Sequence, residues 1–203
     1  QEKLIPTRVP EVPGYDLAFY YKPALAVGGD YIDFIPLDEH RTGIVVADVS
    51  GKNITGAMVM VMVRSVFRML APRCVGAKQT MMMVNDQVTR DIRRGMFVTA
   101  MYGILDKRTN EMRVASAGHN PMVVWRAATN QIQLVNPNGI ALGFDKGPVF
   151  DRTIKEATVT LARGDRIVLY TDGTVEAMNA ANEEYGDDKF FQLIQQLAMR
   201  DSN

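Results

Sequence analysis

Short apolar runs alternate with polar and glycine turns along most of this chain, and the runs come in pairs, as antiparallel hairpins do. Residues 31–37 and 42–49 are apolar and β-branched, joined by Asp38-Glu39-His40-Arg41, which predicts a hairpin ending in a buried strand with Asp48 at its end. Residues 97–105 and 111–117 predict a second hairpin across Asp106-Lys107-Arg108-Thr109-Asn110. Residues 122–126 and 131–135 predict a third across Ala127-Ala128-Thr129-Asn130. Two more strands are expected over 153–161 and 166–170, around the turn Ala162-Arg163-Gly164-Asp165, and a strand-like alternation also runs from 15 to 21.

Between the first two hairpins the period lengthens. Residues 54–70 are largely Met, Val, Ala and Phe, with only Arg64, Ser65 and Arg68 strongly polar, which predicts a mostly buried helix. A second helix is expected over 78–93, with Met82, Val84, Val88 and Ile92 on one face and Asn85, Asp86 and Arg90 in solvent. A last amphipathic helix covers 187 to about 200, and 136–147 reads as an irregular glycine-containing loop. Pro6, Pro10 and Pro13 make residues 1–14 an extended linker segment. Hairpins with two helices inserted between them predict an α+β fold, an α-β-β-α four-layer sandwich of two mainly antiparallel sheets flanked by helices. No regular βαβ alternation is present, which argues against a doubly wound parallel sheet.

Composition narrows the classes further. The chain has 203 residues, 47% of them hydrophobic, enough for one substantial core, so 15–203 is read as a single domain. Lys plus Arg and Asp plus Glu number 23 each, so no global field favours nucleic acid or an anionic membrane. Cys74 is the single cysteine, which excludes an internal disulfide and a thiolate zinc cluster and fits a reducing, cytoplasmic compartment. The most apolar stretch, 57–63, is interrupted at Arg64 and Arg68, short of the roughly 20 residues that span a bilayer. The chain starts at Gln1 with no signal segment, so it is expected to be a piece of a longer protein with an upstream domain.

Three acids stand where apolar runs meet glycine. Asp30 follows Gly28-Gly29, Asp48 opens Asp48-Val49-Ser50-Gly51-Lys52, and Asp172 opens Asp172-Gly173-Thr174. Hard carboxylate oxygens at strand ends suit a divalent cation, and the missing Cβ atoms allow close approach. For Asp30 the alternative is an ordinary turn acid, and for Asp48 a helix cap. His119, in Ser116-Ala117-Gly118-His119-Asn120-Pro121, is either a backbone-bonded structural histidine or a loop residue near the site. The thirteen methionines, Met81-Met82-Met83 among them, read as core and inter-helix packing.

Competing chemistries fail on particular residues. A haloacid-dehalogenase nucleophile would stand where Tyr170 does, and a phosphate-binding P-loop ending at Gly51-Lys52 needs glycine at Val46 and a hydroxyl at Asn53. Ser50 lacks a nucleophile elbow, because Asp48 and Lys52 occupy its outer positions. A receiver domain with Asp48 as phosphoacceptor needs alternating βα units.

Taken in order, Pro23-Ala24 through Val27-Gly28-Gly29-Asp30-Tyr31-Ile32-Asp33, Asp48-Val49-Ser50-Gly51-Lys52, Phe97-Val98-Thr99-Ala100, Ala117-Gly118-His119-Asn120-Pro121, Gly164-Asp165 and Tyr170-Thr171-Asp172-Gly173-Thr174-Val175-Glu176-Ala177 span nearly the whole chain. In that order they resemble the SpoIIE/RsbU-type branch of the metal-dependent, type-2C (PPM) bacterial protein serine/threonine phosphatases. The resemblance implies an α-β-β-α sandwich holding two Mn²⁺ or Mg²⁺ ions. Asp30, Asp48, the Val49 backbone carbonyl and Asp172 would be the ligands, with Asp33, Gly29, Gly173 and His119 around them. The family's last aspartate, in an Asp-Asp-x-Thr segment, has no match before Asn203, so the resemblance implies a chain lacking its C-terminal strand.

The implied reaction is hydrolysis of phosphoserine or phosphothreonine by a water that the paired cations bring toward a pKa of ~7 while offsetting the phosphate charge. The phosphate-holding arginine of eukaryotic relatives has no counterpart near the start of the chain, leaving Lys22 or Lys52 as substitutes. The implied partners are a phosphorylated anti-sigma-factor antagonist of the STAS fold, an upstream sensor domain and a second copy in a homodimer, with regulation through the helices over 54–70 and 78–93. The alternative is a catalytically weak phosphatase-like module that docks a partner.

Overall fold

The computed structural model describes residues 4–23, 28–51 and 53–199. Ala24, Val27, Lys52 and Arg200, which figure in the motifs and boundaries above, lie outside the described residues. The chain order begins β1 (Tyr31–Pro36), β2 (Arg41–Val49), α1 (Asn53–Leu70), α2 (Ala77–Asp91), β3 (Val98–Asp106) and β4 (Glu111–Ala117). It continues with β5 (Met122–Arg126), β6 (Gln131–Val135), α3 (Pro148–Thr153), β7 (Glu156–Thr160), β8 (Arg166–Val168) and α4 (Asp187–Ala198). The fold class is α+β, with two antiparallel sheets and four α-helices among the described residues.

The chain divides into two compact units. The first, Gln1–His119 with Pro137–Thr160, contains the five-stranded sheet in the order β1-β2-β3-β4-β7. Alternation in β2 turns Val45, Ala47 and Val49 into a core with Ala100, Tyr102 and Ile104 of β3, against Met60, Val63 and Phe67 of α1 and Met81, Val84 and Val88 of α2. The second unit, Asn120–Asn136 with Leu161–Asn203, holds the sheet β6-β5-β8. There Phe190, Ile194 and Ala198, four residues apart on α4, pack with Val123, Trp125, Tyr170 and Val175.

Four features depart from the sequence reading. Residues 15–21 form no strand: β1 is an edge strand, and Phe19 instead lays its ring beside Phe34 at 6.2 Å. The first helix is not mostly buried, because Ile54, Met58 and Met69 are 71%, 69% and 50% exposed along one face. Asn85 is buried rather than solvated. Its Nδ2 donates to the Asp145 carbonyl at 2.8 Å and its Oδ1 accepts from Gly143 N at 3.0 Å, so α2 grips the loop after β6. That loop leads into the unforeseen α3, whose first N–H groups are capped by Asp145 Oδ1 from Gly147, Val149 and Phe150 at 3.0, 2.8 and 3.1 Å.

Candidate metal centre

In the first unit the site begins at the end of β2. Asp48 pairs in register with Thr99 and Val49 with Val98, so the β2–β3 ladder sets the Asp48 backbone. Ladder pairing ends there, and Ser50 closes the strand end: its N donates to the Phe97 carbonyl at 2.9 Å while its Oγ accepts from Phe97 N at 2.7 Å. The chain then turns through Gly51, at φ +127°, into α1.

The turn Gly28-Gly29-Asp30 lies against this strand end. A Cβ added at Gly29 would come within 2.9 Å of the Val49 carbonyl oxygen and 3.3 Å of Asp48 Oδ1. A Cβ added to Gly56 in the first turns of α1 would stand 2.5 Å from the Gly51 carbonyl oxygen and 3.8 Å from Gly29 Cα. Glycine at 29 and 56 is therefore a packing requirement: the backbone before Asp30 passes between β2 and α1 with no room for a side chain. Asp30, Asp48 and the Val49 carbonyl belong to one small region, an all-oxygen donor set of the kind Mg²⁺ and Mn²⁺ prefer. On that chemistry the residues fit a hard divalent cation. Among the described residues, no three His, Cys, Asp or Glu side chains within either unit cluster as a metal site.

Two neighbours extend the region. His119, two residues after β4 and only 5% exposed, shares a 2.8 Å hydrogen bond between its Nδ1 and Thr99 Oγ1, and Thr99 is the cross-strand partner of Asp48. Its backbone N donates to Ser116 Oγ at 3.2 Å, which fixes the loop. Tyr21 is the second: its hydroxyl oxygen would lie 2.8 Å from a Cβ at Gly28, and burial, then the Asp30 charge, raise its pKa. Sequence reasoning assigned no part to Thr99 or Tyr21. Thr99 was detectable, since it stands inside the quoted Phe97-Val98-Thr99-Ala100 motif at the start of a strand.

Asp33 takes a different place. It is fully buried on the helix-facing side of β1, where its carboxylate accepts from Arg68 Nε and Nη2 at 2.6 and 2.7 Å, from Tyr31 Oη at 2.9 Å and from Phe34 N at 2.9 Å. Arg64 stands 4.0 Å away and donates to the Leu4 carbonyl at 2.8 Å. Asp33 thus anchors α1 to β1, and Tyr31 is pushed far above the usual phenol range by burial and then by the Asp33 charge. Lys22 is exposed.

Asp172 lies in the second unit. It opens a 3-10 turn, Asp172–Thr174, four residues beyond the end of β8, and its carbonyl accepts from Val175 N and Glu176 N at 2.9 and 2.8 Å. Buried side chains flank the turn on both sides. Tyr170 packs on Phe190 at 4.7 Å and its pKa is pushed up to about 12 by burial and a 3.1 Å bond to Asp187, while Val175 is 7% exposed. Asp172 itself is half-buried, and a Cβ at Gly173 would meet nothing within 4 Å. Asp165 ties the β7–β8 turn to β5. Burial alone would raise its carboxyl, yet donors from Ala162 N at 3.1 Å, Arg126 Nη1 at 2.7 Å and Ala127 N at 3.0 Å hold it below the usual carboxylate range.

Known proteins share this arrangement of sequence and fold. The family described as stage II sporulation protein E (SpoIIE) matches residues 38–202. Phosphoserine phosphatase RsbU of Bacillus subtilis is 30% identical over 176 residues, covering 87% of this chain and 51% of RsbU. The solved RsbU and RsbW domains of a Mycobacterium tuberculosis protein are 27% identical with a TM-score of 0.71, over 86% of this chain and 47% of that one. The SiaA-PP2C domain of Pseudomonas aeruginosa, at 19% identity, shares the fold with a TM-score of 0.76 over 89% of this chain and 71% of that one. The chain spans about half the length of RsbU. With the family matched across most of the sequence, this chain belongs to the SpoIIE family.

Proposed function

We propose that this chain is the catalytic domain of a metal-dependent protein phosphatase that removes phosphate from phosphoserine or phosphothreonine on a regulatory protein. The observation that carries the reading is the packing of Gly29 against the Val49 carbonyl and Asp48 Oδ1, which gathers hard oxygen donors beside Asp30 in a chain 30% identical to a phosphoserine phosphatase. Asp30, Asp48 and the Val49 carbonyl would hold a Mn²⁺ or Mg²⁺ ion in the first unit, with two ions expected, and the family resemblance makes Asp172 a further candidate ligand. Bound there, such ions supply charge compensation for the phosphate dianion and acidify water.

The chain's own residues do the rest. The β2–β3 ladder fixes Asp48 before any ligand arrives, so little reorganisation is needed on binding. Thr99, held by His119 Nδ1, keeps a hydroxyl on the strand beside Asp48. Ser50 is engaged with Phe97 through both its N–H and its hydroxyl, which suits a structural clasp and not a nucleophile.

The proposed substrate is a phosphorylated anti-sigma-factor antagonist of the STAS fold, and the chain acts in the cytoplasm as the output of an upstream sensor domain. RsbU and the Mycobacterium tuberculosis domains support this reading, being similar proteins of the RsbU type. Manganese-dependent release of p-nitrophenol from p-nitrophenyl phosphate tests the activity. The expected result is turnover that a chelator stops and that Asp48→Asn and Asp172→Asn each abolish. Turnover indifferent to chelator or to both substitutions refutes the proposal.

A further inference from the structure

The strand end carrying Asp48 has a built rim in the first unit that the reaction leaves unused. Residues 93–97 form its outer wall. Met96 N donates to the Arg93 carbonyl at 2.9 Å and Gly95 takes φ +89°, a tight turn with Arg94 at its tip. Phe97 is clasped to Ser50 by the two bonds already described, and a Cβ at Gly51 would meet Met96 Cε at 3.3 Å. The wall therefore stands directly against the segment that follows Asp48 and Val49.

A second loop completes the rim. Leu142 and Val98 exchange two backbone bonds of 2.9 Å, and Asn85 holds Gly143 N and the Asp145 carbonyl from within α2. Between those anchors Phe144 stacks on Phe97, with centroids 4.9 Å apart and planes at 18°, and remains 65% exposed. An isolated exposed apolar residue is ordinary. A phenylalanine fixed from both sides, stacked on a second ring and kept out of the core, is a preformed apolar platform. Beside it Arg93 and Arg94 are exposed at the tip of the turn, with exposed Asp91 before them, while Asp145 is turned into the α3 cap and Lys146 lines a pocket with Asp86 and Asp151. The tip of the turn, two guanidinium groups against one carboxylate, is cationic on balance.

We propose that the Phe97–Phe144 stack with Arg93 and Arg94 is the docking surface for the phosphorylated segment of the substrate protein, seating an apolar side chain beside the phosphoserine and acidic residues beyond it. This rests on the phosphatase reading and adds to it the substrate sequence that the site selects. Charge complementarity decides the occupant: a phosphorylated acidic segment is attracted to this rim, and a basic one is repelled.

The test uses Phe144→Ala and the pair Arg93→Glu with Arg94→Glu, none of which touches the proposed ligands. Two phosphoserine peptides serve as probes, one flanked by leucine and glutamates and the other by glycine and lysines, with p-nitrophenyl phosphate as the small ester. For the first peptide, each variant is expected to lower kcat/KM and weaken binding by fluorescence anisotropy about tenfold. Small-ester turnover is expected to stay at the wild-type rate, and the wild type to prefer the leucine–glutamate peptide. Equal handling of both peptides, or unchanged binding in both variants, overturns the docking assignment while leaving the phosphatase reading intact. A change of oligomeric state in Phe144→Ala, seen by sedimentation, assigns the surface to a second copy and overturns it as well. A wild type that hydrolyses neither class of ester refutes the catalytic reading and this inference together.

Discussion

The five-stranded unit and the three-stranded unit each place a candidate ligand near a strand end, and they hold it by different means. Asp48 is fixed by ladder register, with Thr99 opposite it and the glycine turn before Asp30 pressed on the neighbouring carbonyl. Asp172 has no ladder pairing of its own and opens a turn wedged between buried Tyr170 and buried Val175. Precision comes from backbone volume in the first unit and from apolar anchors in the second. The first should therefore tolerate no added atoms at Gly29 and Gly56, whereas the second should tolerate one at Gly173, beside its candidate ligand.

The largest expected effect falls on the ligand itself: Asp48→Asn should lower phosphoester turnover by about 10³-fold without shifting the thermal midpoint, read by steady-state kinetics beside a melting curve. A sharper contrast comes from two alanines. Gly29→Ala drives a Cβ toward the Val49 carbonyl and Asp48 Oδ1 and should cost about 10²-fold in turnover. Gly173→Ala meets open space, at a φ outside the left-handed region, and should change folding stability by less than about 0.5 kcal/mol.

Stability separates the units again. Arg68→Ala removes two charged bonds from fully buried Asp33 and should cost about 3 kcal/mol in urea unfolding. Arg126→Ala leaves Asp165 with two backbone N–H donors, Ala162 in the turn it closes and Ala127 just after β5, and should cost nearer 1 kcal/mol.

The smallest effect is confined to acid. Asp38, in the β1–β2 turn, is held at about 2, below its ordinary 3.8, by the His40 and Arg41 N–H groups and the Arg41 guanidinium. A depressed carboxyl stabilises the folded state above its unfolded pKa and loses that contribution as pH falls through the folded one. Urea midpoints should therefore carry an Asp38-dependent slope between about pH 4 and pH 2 that Asp38→Asn removes.

Much of the fold was legible because its hairpins are local. The turn acid Asp38 and the positive-φ residues Asn110 and Asn130 stand where the hydrophobic runs break, so strand boundaries fell close to those observed. What escaped depends on partners far away in sequence. Asn85 looked like a solvated helix residue because its two loop partners lie 58 and 60 residues on. Asp33 shares the motif of Asp30, yet its alternation on β1 turns it toward Arg68, 35 residues downstream. The short α3 opens at Pro148 behind Gly147, a pair that reads as loop until Asp145 is seen to cap the helix. For the site, the acids and Gly29 were visible as a motif, whereas Gly56 needed the packing of α1 and Thr99 needed the β2–β3 register to stand beside Asp48.

Calorimetric titration of Mn²⁺ into the wild-type chain and into Asp48→Asn and Asp33→Asn, each checked for native circular dichroism, tests the central claim most directly. The account predicts saturable binding by the wild type, its loss in Asp48→Asn and its retention in Asp33→Asn. Binding that survives Asp48→Asn unchanged would contradict it.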